Sequence, residues 1–174
     1  MSRLLRPFLI ALLLAVAPAS FAETFYQVEL IVFRQANPVN ANQATPENWA
    51  ANTSPLPEQS LRSSALTDMA TKLETQMGYK VLLHQAWKQA VGSQAGVRFG
   101  TGQVSDGHQP VEGTLTLSQG RNLELNLSTW VNRFDSNGFL ASSEKLLQQR
   151  RFLPDQLIYI DHPSLGALLR VRSL

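Results

Sequence analysis

The sequence predicts an α+β fold, an antiparallel-dominated sheet of about five or six strands with one main helix packed on a face. Three observations carry that expectation. Residues 24–34 alternate with period two, placing Tyr26, Val28, Leu30 and Val32 on one face and Phe25, Gln27, Glu29, Ile31 and Phe33 on the other. Leu66, Met69, Ala70, Leu73 and Met77 recur at helical spacing. Two Leu-rich segments, 113–118 and 123–133, alternate strictly around a short turn.

Ahead of these elements, Arg3 and Arg6 precede the apolar run Phe8 to Val16 and the small, turn-prone residues Ala17 to Ser20, the pattern of a secretory signal. Ser20 and Ala22 fit the two small-residue positions of a signal peptidase site, so cleavage is expected after Ala22, with the mature chain starting at Glu23. The apolar run is shorter than the roughly 20 residues of a membrane-spanning helix, and no second run of that length follows, so the mature chain is expected to carry no membrane span. Residues 1–22 are therefore read as a cleaved leader and 23–174 as one periplasmic α+β domain. Loss of two Arg with the leader leaves 13 basic against 13 acidic residues. A formally neutral chain lacks the basic stripe of a nucleic-acid binder. With no Cys in the sequence, disulfides, thiolate metal sites, cysteine nucleophiles and a cysteine-linked lipid anchor are excluded.

The first strand has one wholly apolar face and one half apolar, as a central strand buried on one side and partly covered on the other would. Loops are expected at 35–60, where Pro38, Pro46, Pro55 and Pro57 punctuate a stretch without period, and at 90–110, which is Gly-rich. Trp49 is expected to plug the first loop onto the body. The helix spans Leu66 to Met77 and is stopped by an αL residue at Gly78, with Met69 and Met77 packing in the core. Tyr79 to Gln89 is extended and completes a strand-helix-strand unit whose link is long enough for a crossover. Gly100-Thr101-Gly102 reads as turn chemistry, because neither a following Lys-Ser/Thr nor a helix pattern makes it a phosphate loop.

The hairpin collects Leu115, Leu117, Leu123, Leu125, Leu127 and Val131 on one dry face. A two-residue loop would oppose Leu117 to Glu124, so an odd-length loop using Gly120 or Asn122 in αL is expected. Asp135-Ser136-Asn137-Gly138 signals a turn, and a further strand runs from about Lys145 to Leu153. Asp161 reads as a helix or turn cap with Pro163 just inside, ahead of a strand at 167–171.

In this order the chain contains Tyr26-Gln27-Val28-Glu29-Leu30-Ile31-Val32-Phe33, Gly113-Thr114-Leu115, Arg150-Arg151, and Tyr159-Ile160-Asp161-His162-Pro163 with Gly166. As a set these segments resemble the CsiV family, periplasmic peptidoglycan-binding proteins of Gram-negative bacteria linked to cell-shape integrity. The resemblance implies a non-catalytic accessory that contacts peptidoglycan and acts on a bifunctional peptidoglycan synthase or its outer-membrane lipoprotein activator. It carries over no ligand residues. The matched residues Tyr159, Asp161, His162, Pro163 and Gly166 read as structural.

The residues themselves point away from catalysis. His84, His108 and His162 have no metal-ligand spacing, so no metal or other cofactor is expected, and no Ser-x-x-Lys or Gly-x-Ser-x-Gly context supplies a nucleophile. The expected ligand surface is instead the polar face of the hairpin, where Trp130 stands in phase with Asn126 and Ser128 and across from the row that includes Thr116. An indole among hydroxyl and amide groups suits a sugar ring. The rival readings are a periplasmic adaptor that touches only proteins and, more distantly, a wall hydrolase.

Overall fold

A computed structural model describes residues 24–35, 43–92 and 96–174; the leader at 1–22 and the start at Glu23 lie outside the described residues. The elements are β1 (Phe25–Arg34), β2 (Thr53–Pro55), a 3₁₀ turn (Glu58–Ser60), α1 (Thr67–Thr75), β3 (Lys80–Ala90), β4 (Gly96–Thr101), β5 (Val111–Gln119), β6 (Leu123–Phe134), β7 (Leu140–Phe152), β8 (Leu157–Asp161) and β9 (Leu165–Ser173). The expected mix of antiparallel strands with one main helix is present. The expected single sheet is not, because the strands form two, β3-β1-β9-β8 and β2-β4-β5-β6-β7.

The two sheets share one dry layer. Val28, Leu30 and Val32 of β1 enter it from the first sheet, and Leu115, Leu117, Leu125 and Leu127 of the hairpin enter it from the second. Each row is the apolar face read from the sequence. The sequence pattern cannot tell whether two apolar faces belong to one sheet covered by a helix or to two sheets covering each other, and the second arrangement is the one adopted.

The outer side of the first sheet explains the half-apolar face of β1. Ile31 and Phe33 pack there with Leu168, with Leu66 just before the helix and with Leu73 within it, while Met69 and Ala70 are half-buried against them. Met77 does not join this core. It lies beyond the last helical turn and is 55% exposed. Gly78 has the expected left-handed backbone (φ +66°). No crossover follows the helix, because β3 returns antiparallel alongside β1, with Phe25 opposite Ala90 and Val32 opposite Leu83.

The β5–β6 pairing sets Leu117 against Leu125 and Gln119 against Leu123, which leaves the expected three-residue loop. Neither Gly120 nor Asn122 takes a positive φ, however, and the amide of Gly120 donates to the carbonyl of Asn122. Three short strands depart from the expected loops and cap. β2 and β4 lie inside the Pro-rich and Gly-rich segments, and β8 occupies 157–161, so Asp161 closes a hairpin turn and caps no helix. Gly100 and Thr101 belong to β4, and only Gly102 of that trio (φ +92°) turns the chain.

Two glycines of the family-like segments are explained by close approach. Phe99 lies opposite Gly113, and a Cβ there would sit 2.5 Å from the Phe99 ring and from the Ser128 carbonyl. The bare position lets Phe99 cross β5 and stack on Trp87 at 5.7 Å. On the outer side of the first sheet, Phe33 lies over Gly166 in the same way.

Candidate functional site

A groove runs where β3 of one sheet meets β4 of the other. Segment 53–62 bridges that side: β2 pairs parallel with β4, the amide of Leu56 donates to Arg98, Leu61 bridges to Trp87, and the amide of Arg62 donates to Ala86. The groove has a volume of about 630 Å³ and is lined by Trp49, Leu61, Gln85 and Arg98, with Glu47 and Glu58 among its acidic groups. Trp49 is half-buried, so it meets the loop-plug expectation on one side and leaves part of its ring toward the groove. Gln85 donates to the carbonyl of Gly100 at 3.2 Å, and its Oε1 is buried without a partner among the described residues.

A hydrogen-bonded network holds the loop that carries Trp49. The hydroxyl of Thr45 donates to Asn132 Oδ1 at 2.7 Å, and Ser143 donates to the same oxygen at 2.7 Å. Asn132 in turn donates to Glu112 at 2.8 Å, and Glu112 bonds His108 Nδ1 at 2.7 Å. Every member of this chain is buried. Satisfied networks of this kind fix one geometry, since each member would be costly if left unpaired. Sequence reasoning missed it because its members lie far apart along the chain.

Arg98 stands on the outer face of the second sheet, in a cross-strand row with Thr114, Ser128 and Leu147. The next row is Thr116, Asn126 and Gln149. Three of the four expected ligand residues, Thr116, Asn126 and Ser128, therefore lie together on an accessible polar strip that begins at the groove. Trp130 lies in a further row, between Glu112 and Lys145, and is 5% exposed, with the Lys145 ammonium 4.8 Å from the ring centre. Its indole offers no open platform.

The family-like segment 159–166 is held from within. Gln35 donates to Asp161 at 3.1 Å and to the carbonyl of Leu165 at 3.0 Å, and Tyr159 donates to Asp161 at 3.2 Å. These bonds pull the Asp161 carboxyl below its usual range, while burial and the neighbouring Asp161 push the Tyr159 phenol up. Pro163 sits in the turn that the amide of His162 closes by donating to Leu165. Ser164, His162 and Glu144 come together behind this turn, but the Ser164 hydroxyl donates directly to Glu144 and is 0% exposed, with His162 Nδ1 at 3.3 Å. A nucleophile needs a base between it and the orienting acid, and access to substrate. Neither condition is met here. Arg151 pairs with Glu124 at 2.5 Å in an exposed ion pair, of the kind that contributes little.

Two buried carboxylates set the acid limit of the fold. Burial alone would raise Glu29, but His84 at 2.8 Å and the amides of Leu66 and Ala65 outweigh it, and Arg170 lies 3.5 Å away, so the carboxyl titrates below its usual range. It also holds the two residues that lead into α1, which has no side-chain cap of its own, by accepting their amides. For Glu144, burial is outweighed in the same way by Ser164, Arg34 and Arg133. A depressed carboxyl stabilises the fold above its unfolded pKa of about 4.3 and loses that contribution as pH falls through the folded value. Thermal melts are expected to be flat from about pH 7 to 5 and to fall by several degrees below about pH 4. A flat profile to about pH 2.5 would contradict this assignment.

Among the described residues no group of three or more His, Asp or Glu is placed to hold a metal ion, and no helix is long and apolar enough to cross a membrane. Comparison with curated proteins and with solved structures gave no match. Comparison with family models gave one, CsiV, described as a peptidoglycan-binding protein, over residues 6–63 and 53–174, which together span nearly the whole sequence. The chain belongs to the CsiV family of peptidoglycan-binding proteins.

Proposed function

We propose that the protein is a non-catalytic periplasmic accessory that binds peptidoglycan and supports cell-wall synthesis and cell shape through a bifunctional peptidoglycan synthase or its outer-membrane lipoprotein activator. Residues 1–22 are its cleaved signal and 23–174 its working domain. The observation that carries the binding reading is the groove of about 630 Å³ continuous with the polar rows of Thr116, Asn126 and Ser128. A strip of hydroxyl and amide groups can follow a glycan chain, and a concave end can hold a branch from it. The family membership supports the polymer as ligand, and the buried, internally bonded Ser164 supports a role without chemistry.

Co-sedimentation with purified, protein-free sacculi tests this reading. The protein is expected in the pellet, with no soluble muropeptide released over hours. A supernatant-only result favours the adaptor that touches proteins alone, and released muropeptides would make it a hydrolase. Intact mass of the periplasmic form is expected to correspond to a chain starting at Glu23.

A further inference from the structure

We infer that the groove between β3 and β4 takes the charged end of a peptidoglycan stem peptide, with a free carboxylate at Arg98 and a free amino group at Glu47 and Glu58, and that the sugars lie outside it along the polar strip. This rests on the wall-binding reading above and names the part of the polymer the groove selects.

The groove is lined by charges of both signs, and among the described residues Arg98, Glu47 and Glu58 enter no ion pair. Neutral sugars can hydrogen-bond such groups but bring no opposite charge to neutralise them. A peptide bearing both a carboxylate and an amino group satisfies them together, and Arg is suited to hold a carboxylate through two parallel hydrogen bonds. Glu112 also reaches the groove, but its oxygens are committed to His108, Asn132 and the amide of Gln109. That leaves Glu47 and Glu58 as the anionic contacts. The buried, unpartnered Oε1 of Gln85 needs an N–H donor, and peptide amides supply one. Trp49 and the 46%-exposed Leu61 give apolar wall for alanine methyls. Amides, methyls, carboxylates and a free amino group coexist in the stem peptide, whereas the glycan lacks the amino group.

The test uses intact sacculi, peptide-free glycan strands prepared with an amidase, and the soluble peptide N-acetyl-L-Ala-γ-D-Glu-meso-diaminopimelate, whose one free amino group is on diaminopimelate, with and without acetylation of that group. The protein is expected to sediment with intact sacculi, and the stripped strands, which are soluble, are expected to compete with that binding much less than an equal mass of solubilised, peptide-bearing sacculus fragments. Tripeptide binding measured by calorimetry is expected to weaken at least about tenfold on acetylation and on Arg98→Gln. Equal competition by stripped glycan would overturn the inference and leave wall binding in place, as would unchanged affinity for the tripeptide acetylated on diaminopimelate. Failure to sediment with intact sacculi would remove the wall-binding reading and this inference with it. Arg98 is exposed, so the variant is expected to melt as the parent does; were it to unfold, the tripeptide acetylated on diaminopimelate decides alone, on the unmodified protein.

Discussion

Glu144→Ala is expected to lower the unfolding free energy by about 3 kcal/mol, at the lower end for breaking a buried ion pair. The carboxylate is 3% exposed and projects from β7 toward the end of the sandwich, where Arg34 lies at 2.7 Å and Arg133 at 3.3 Å. Its removal leaves Arg34 largely buried without its counter-charge and frees the Ser164 hydroxyl that ties the β8–β9 turn to β7. Arg133 is half exposed and can turn to water, which keeps the cost from reaching the upper end of the range. Glu144→Gln retains the shape and one acceptor and is expected to lose less. Urea unfolding of both variants checks the order, and a loss under about 0.5 kcal/mol for the Ala variant would mean that the cluster is solvated.

Trp130→Ala is expected to destabilise the protein by about 3 kcal/mol, a fall of roughly 6–12 °C in Tm for a domain of this size, with sacculus binding changed little in the folded population. The indole is 5% exposed, and the ammonium of Lys145 adds a cation–π contact over it. An unchanged Tm with lost sacculus binding would instead make the ring a sugar platform, which its burial argues against.

The two residues show where sequence reading works and where it stops. Period-two alternation placed Leu117 against Leu125 because a one-residue slip would have turned every Leu to solvent. The same rule put Trp130 on the polar face correctly, but facing outward is not the same as being exposed. The cross-strand partner of Trp130, Glu112, is covered by His108, and the adjacent row of Asn132 and Ser143 by Thr45, and these distant segments are what one strand's pattern cannot report. β4 was hidden by its two glycines, Gly96 and Gly100, where a Cβ would press on Thr116 and on the backbone carbonyls of Leu115 and Val111, so the feature that suggested a loop reflects tight packing. β2 is three residues long and ends in Pro55, and its pairing with β4 leaves no periodic trace. The groove needed all of these together. Arg98, Gln85 and Trp49 come from three separate segments, and only the bridging of 53–62 between β4 and β3 brings them to one concavity.

Amide hydrogen exchange on the protein with and without solubilised sacculus fragments tests the central claim, that the wall is held in this groove. Slowed exchange is expected in residues 49–62 and 98–101, extending weakly onto the β5–β6 strip, with α1 and the β8–β9 turn unchanged. Protection confined to α1 and the β8–β9 turn, with the groove segments exchanging as before, would contradict it.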